Sequence, residues 1–169
     1  DRMMLSARWA SGLRRLAGVM EAGSDSQLAI SRAWAAGAAS PEHVEQLWFL
    51  LDTTDGGDIL PGLQVDTDLR WSLLHRLVII GAAGDAHIAA ELDRDDTATG
   101  RRQAAYALAA RPTEQAKADA WAQTVESDEL PNALLRATVD GFHQPEHREL
   151  VRPYVGRYLE AIPRLWAER

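Results

Sequence analysis

The run His143-Gln144-Pro145-Glu146-His147 is the one stretch whose letters match a catalytic pattern. It reads H-x-x-E-H, the inverted order of a zinc-peptidase signature. That chemistry needs both histidines on one helical face, one turn apart, so that two ring nitrogens reach a single zinc. Pro145 stands between them. It removes a backbone donor and disfavours helical geometry at Gln144, so the two histidines are expected to flank a turn between helices. Glu146 would then sit near the next helix start, where a negative charge meets the positive end of the dipole. A polar turn is the expectation; zinc held by His143, Glu146 and His147 is the competing reading.

Other chemistry is sparse. No histidine is followed by glutamate, so the forward H-E-x-x-H signature is absent, and there is no G-x-S-x-G elbow, Walker loop or G-x-G-x-x-G turn. Without cysteine there is no thiol nucleophile, thiolate metal site or disulfide. No catalytic residue and no metal ligand is therefore assigned. Asp52, Asp55 and Asp58 cluster with glycines but lack calcium-loop spacing, and read as a solvated loop. Asp93, Asp95 and Asp96 precede Thr97 and the pair Arg101-Arg102; acids there suit a helix start. His75 falls mid-helix as a core or groove histidine, while His43 and His87 fall in first turns and are expected to be exposed. The six tryptophans read mainly as packing anchors between helices.

The elements that must carry these residues are helical throughout. Alanine is abundant and Val, Ile and Thr are sparse, which favours helices that approach closely. A first stripe, Leu5, Trp9, Gly12, Leu13, Leu16 and Met20, runs at steps of three and four and is expected to face inward. It starts with no capping residue, as if cut from a longer chain. Ser24-x-x-Gln27 is a capping box opening a second helix on Ile30, Ala33, Trp34 and Gly37. Ser40-Pro41 opens a third on Val44, Leu47, Trp48 and Leu51. A loop spans 52–65, and Asp66 or Thr67 caps a strongly apolar helix, Leu69 to Ile80, suited to a central position. Gly81 and Gly84 close it. Further starts fall at Asp85, at Asp96 or Thr97, at Thr113 and at Pro131. A last helix from about Glu146 carries Leu150, Val151, Tyr154, Val155, Tyr158, Leu159 and Ile162, with a kink at Pro153. The class is all-α, with about nine helices joined by short turns, which makes neighbours antiparallel and suits an α-solenoid of the HEAT or armadillo kind.

Composition narrows the partners. Apolar residues make up 46% of 169, enough for a real core, and the net charge is −7 with a sequence pI near 5.2. That balance argues against a nucleic-acid or anionic-membrane surface. The longest apolar runs are too short to span a bilayer, and the first residues lack signal-peptide order.

Between 60 and 166 a series of short matches runs in order. It comprises Leu60-Pro61-Gly62-Leu63, Val65 to Leu74, Asp96 to Arg101, Ala110 to Thr113, Ala116-Lys117, Ala120-Trp121, Leu130-Pro131-Asn132, Gly141 to Pro145, Tyr154, Tyr158 and Trp166. The series resembles the C-terminal helical domain (HEAT-like, ERAP-type) of bacterial aminopeptidase N, and residues 1–59 fit the same domain by helical pattern. The resemblance implies one helical domain over 1–169, a curved bowl that is part of a longer zinc aminopeptidase. The zinc and its ligands would lie in a separate upstream domain, leaving this chain without catalysis or cofactor. The implied role is to enclose the active-site cavity and limit peptide access. The implied partners are the parent's catalytic domain and peptide substrates, with no nucleic acid and no membrane, in the cytoplasm. Peptide carboxylates pair naturally with arginine. Arg70 beside Trp71 is the first candidate to face substrate, with Arg101, Arg102 and Gln144 behind it; the plain alternative is that these are surface or inter-helix residues. The alternative function is a stand-alone solenoid that binds a protein partner.

Overall fold

The computed structural model describes the backbone of residues 2–168 and the side chains of residues 5–167. Ten α-helices occur among the described residues: α1 Arg2–Val19, α2 Asp25–Gly37, α3 Pro41–Asp52, α4 Thr67–Ile79, α5 Asp85–Arg94, α6 Ala98–Ala109, α7 Glu114–Trp121, α8 Asn132–Phe142, α9 Arg148–Val151 and α10 Tyr154–Glu168. A π-helical turn, Ala122–Glu126, extends α7, and a 3-10 turn, Pro145–His147, precedes α9. No strand occurs among the described residues, where the only ladder pairing is an isolated antiparallel bridge between Asp55 and Gln64. The class is all-α. The tenth helix arises because Pro153 breaks the last predicted helix rather than kinking it.

Local chemistry explains the starts. The side chains of Ser24, Ser40, Thr97 and Thr113 each accept from the backbone N–H three residues on. Asp66 does the same for Leu69 at 2.7 Å. Each such cap is worth about 1 kcal/mol. Gln27 reaches back one residue further than a capping box requires and accepts from Gly23 N–H at 2.8 Å.

The chain forms two compact units, Asp1–Leu77 and Val78–Arg169. In the first, α1 and α2 pack along a seam of small residues. Ala10 and Ala17 are fully buried, and a Cβ placed on Gly37 would lie 3.4 Å from the Ala10 Cβ. The bulky stripe predicted to face inward is mostly outward: Leu5, Trp9 and Leu16 are exposed, and only Leu13 and Met20 are half-buried. Close approach of small side chains won over burial of large ones. Trp34, Leu47, Leu50, Leu69, Leu73 and Leu77 are buried instead, each worth about 1.5–3 kcal/mol. The 52–65 loop is held by Arg14, which donates to Ile59 O at 2.6 Å and stacks 5.5 Å over Trp34, and by Gln27, which donates to Pro61 O at 3.1 Å. At Gly62 (φ +82°) the loop passes so close to the turn after α1 that a Cβ would meet Ala22 at 2.6 Å. His43, expected at the surface, is buried against the Trp34 ring, with centroids 6.0 Å apart.

In the second unit α6 and α8 cross closely. Gly141 allows it: a Cβ there would lie 2.2 Å from Tyr106 O. Aromatic packing joins α7, α8 and α10, with Tyr154 5.2 Å from both Trp121 and Phe142. The remainder of the last stripe is divided: Leu150, Val151 and Ile162 are half-buried, whereas Val155, Tyr158 and Leu159 are exposed, as is Val139 on α8. Of the six tryptophans, Trp34, Trp71 and Trp121 are buried anchors, whereas Trp9 and Trp166 are exposed.

Candidate functional site

The H-x-x-E-H segment is divided by secondary structure. α8 stops at Phe142, His143 is its exposed C-cap, and Pro145–His147 winds as a 3-10 turn. The two histidines therefore share no α-helical face, as Pro145 foretold. His147 is buried and its Nε2 lies 2.7 Å from Ile79 O; a carbonyl only accepts, so Nε2 carries the proton and donates. Among the described residues, no group of three or more His, Asp or Glu side chains is arranged to hold a metal.

The residues proposed to face substrate divide between the two units. In the first, Arg70 is half-buried and donates to Leu51 O at 2.6 Å, tying α4 to the end of α3. Its neighbour Trp71 is fully buried, with its ring 5.8 Å from His75. In the second, Arg101 and Arg102 are both exposed on the first turn of α6. Arg101 pairs with Asp96 at 2.6 Å and Arg102 donates to Thr99 Oγ1 at 2.8 Å. Gln144 is buried; its Nε2 lies 3.0–3.1 Å from Tyr106 Oη, Asp140 O and Gly141 O, so two hydrogens serve three acceptors. The amide locks the end of α8 onto α6. Burial raises the Tyr106 phenol pKa, Gln144 pulls it back down, and Asp140 and Glu146 push it up further.

Arg101 also lines a groove of about 340 Å³ over α6 and α7. Its floor is made of small side chains, Ala104, Ala105, Ala116 and Ala120 among them, which leave room that larger residues would fill. Arg111 lines it too, engaged with Asp85 and donating to Leu108 O at 2.9 Å. Asp119 and Gln123 line it as well, so an apolar floor with guanidinium, carboxylate and amide groups on its rim suits an apolar side chain next to a polar or charged group.

Sequence reasoning passed over Lys117. It is fully buried, donates to Ala109 O at 2.7 Å at the C-terminal end of α6, and lies 5.7 Å over the Phe142 ring. Burial, with Arg111 adding repulsion, brings its pKa down to about 8. The signal was present in the spacing: Lys117 shares a helical stripe with Ala116, Ala120 and Trp121. His43 is a second such group. Burial lowers its pKa, Glu42 opposes this and Arg14 adds to it.

Comparison with known proteins places this arrangement. The chain is 49% identical over 168 residues to an aminopeptidase N of Streptomyces lividans, a stretch that is 99% of this chain and 19% of that relative. The chain thus spans about a fifth of the length of the curated relative it matches. Residues 4–169 match the family described as the ERAP1-like C-terminal domain. Together with the all-helical fold and the ordered motifs between Leu60 and Trp166, this match covers nearly the whole sequence: the chain belongs to the family of ERAP1-like C-terminal domains.

Proposed function

We propose that the chain is the non-catalytic C-terminal domain of a zinc aminopeptidase N, acting as a single domain over 1–169 that encloses the active-site cavity and limits which peptides enter. One observation carries this reading: the chain matches that domain family over residues 4–169 while carrying no H-E-x-x-H of its own. Zinc and its ligands then belong to an upstream catalytic domain, which is also the first partner, and peptides trimmed from their N-termini are the substrates. The compartment is the cytoplasm. No helix among the described residues is long and apolar enough to cross a membrane.

Within the domain, the groove over α6 and α7 is where a peptide's far end would rest, its terminal side chain on the alanine floor and its carboxylate on Arg101. Arg102 stands one residue further along the same turn. Arg70, Trp71 and Gln144 act by holding helices in place, as their packing and hydrogen bonds favour.

Reading the gene upstream of Asp1 tests the proposal. An H-E-x-x-H followed by a distal glutamate is the expected result; an open reading frame with no metallopeptidase signature would end it.

A further inference from the structure

The outward face of α1 carries a second apolar surface. Leu5, Trp9, Gly12, Leu16 and Val19 follow one another at steps of four and three, and the four side chains are 65%, 67%, 41% and 75% exposed. A Cβ on Gly12 would meet nothing within 4 Å, so a shallow notch separates Trp9 from Leu16. Ala10 and Ala17 already bury the other side of the helix, and a helix apolar on two sides belongs between two neighbours.

Charge indicates the kind of neighbour. α1 contains Arg2, Arg8, Arg14 and Arg15 and no acid, in a chain of net charge −7. Arg14 is turned inward to Ile59 and Trp34. Arg8 and Arg15, two helical turns apart, lie exposed along one flank of the apolar stripe and make no ion pair or hydrogen bond among the described residues.

We propose that this face docks an amphipathic helix of the same longer polypeptide, one whose apolar stripe is flanked by Asp or Glu two turns apart, so that two carboxylates meet Arg8 and Arg15. The proposal rests on the reading of the chain as part of a longer enzyme. The related aminopeptidase extends far beyond the shared stretch, and a tethered helix acts at an effective concentration of order millimolar. A second copy of α1 fits poorly. Antiparallel pairing about Gly12 sets Arg8 of one copy near Arg15 of the other, which repel. A membrane surface fits poorly as well, because two arginines on one edge are fewer than a polybasic anchor uses.

Photo-cross-linking of the full-length polypeptide, with Trp9 replaced by p-benzoylphenylalanine, tests this. The expected product is intrachain, joined to a segment with apolar residues at three-to-four spacing and acids seven apart. Arg8→Glu with Arg15→Glu should lower its yield about fivefold or more, and reversing the partner's acids to lysine should restore it. A product with a second copy, with lipid or with a segment lacking acids overturns the proposal. So does an absent product from polypeptide that keeps its helical circular dichroism. A gene that encodes nothing beyond this chain would instead remove the longer-enzyme reading, and this inference with it.

Discussion

Replacing Lys117 with methionine should stabilise the protein at neutral pH. The amine is fully buried, and its pKa falls from an ordinary 10.5 to about 8. At about 1.4 kcal/mol per unit, keeping it charged in the folded state costs roughly 3 kcal/mol at pH 7. Methionine removes that cost with little change of volume. It also strips Ala109 O of its Nζ–H partner, a loss of roughly 1–2 kcal/mol. The balance is a gain of about 1–2 kcal/mol for Lys117→Met, which for a chain this size raises Tm by roughly 2–8 °C. The pH dependence follows with a definite sign. Between pH 8 and 10.5 the unfolded chain holds the lysine proton and the folded chain does not, so this residue adds stability as pH rises. Its contribution grows by about 2 kcal/mol from pH 7 to 9.5 in the wild type and is absent from the variant. Urea melts of both proteins at these two pH values give the comparison, and the difference between them cancels the other titrating groups. A variant more than 1 kcal/mol less stable at pH 7, or a difference that does not narrow at pH 9.5, would refute the assignment of a desolvated charge.

Three further outcomes are expected. The folded pKa of His43 lies below 6.5, so the unfolded chain binds its proton first and stability falls as pH drops through 6.5; thermal melts at pH 7.5 and 5 should show the fall, and His43→Gln should flatten it. Gly141→Ala should lose about 2–3 kcal/mol in urea melts, because its Cβ meets Tyr106 O at 2.2 Å, whereas Gly156→Ala, with nothing within 4 Å, should gain up to about 1 kcal/mol. In the full-length enzyme, Arg101→Ala should raise KM for peptides by about tenfold and leave kcat for a single-residue chromogenic substrate unchanged.

Features set by a few adjacent residues were legible before the structure. Ser24, Ser40, Thr97 and Thr113 all cap where their spacing says, because a cap involves only the next turn. Pro145 separates His143 from His147 for the same local reason. The face that each helix buries was harder to read. In α1 the large residues form the better periodic stripe, yet Ala10 and Ala17 form the seam, since that choice depends on how closely α2 can approach. Buried polar groups were hidden for a similar reason. Gln144 takes its place from Tyr106, 38 residues away, and Lys117 from the buried carbonyl of Ala109 at the end of another helix. Tyr106 lies far outside any local window, and although Ala109 is only eight residues from Lys117, the turn between α6 and α7 has to fold before the two meet. The candidate substrate residues share this limit, for Arg70 and Trp71 follow one another in sequence yet one reaches the end of α3 and the other is sealed in the core.

The proposed role, a non-catalytic domain of a larger zinc aminopeptidase, makes opposite demands on the chain and on the full-length polypeptide. Turnover of leucine p-nitroanilide, measured side by side for residues 1–169 with added zinc and for the full-length polypeptide, tests it most directly. No turnover by the chain and zinc-dependent turnover by the full-length protein are the expected results. Turnover by the purified chain, or a full-length polypeptide inactive with zinc, would contradict it.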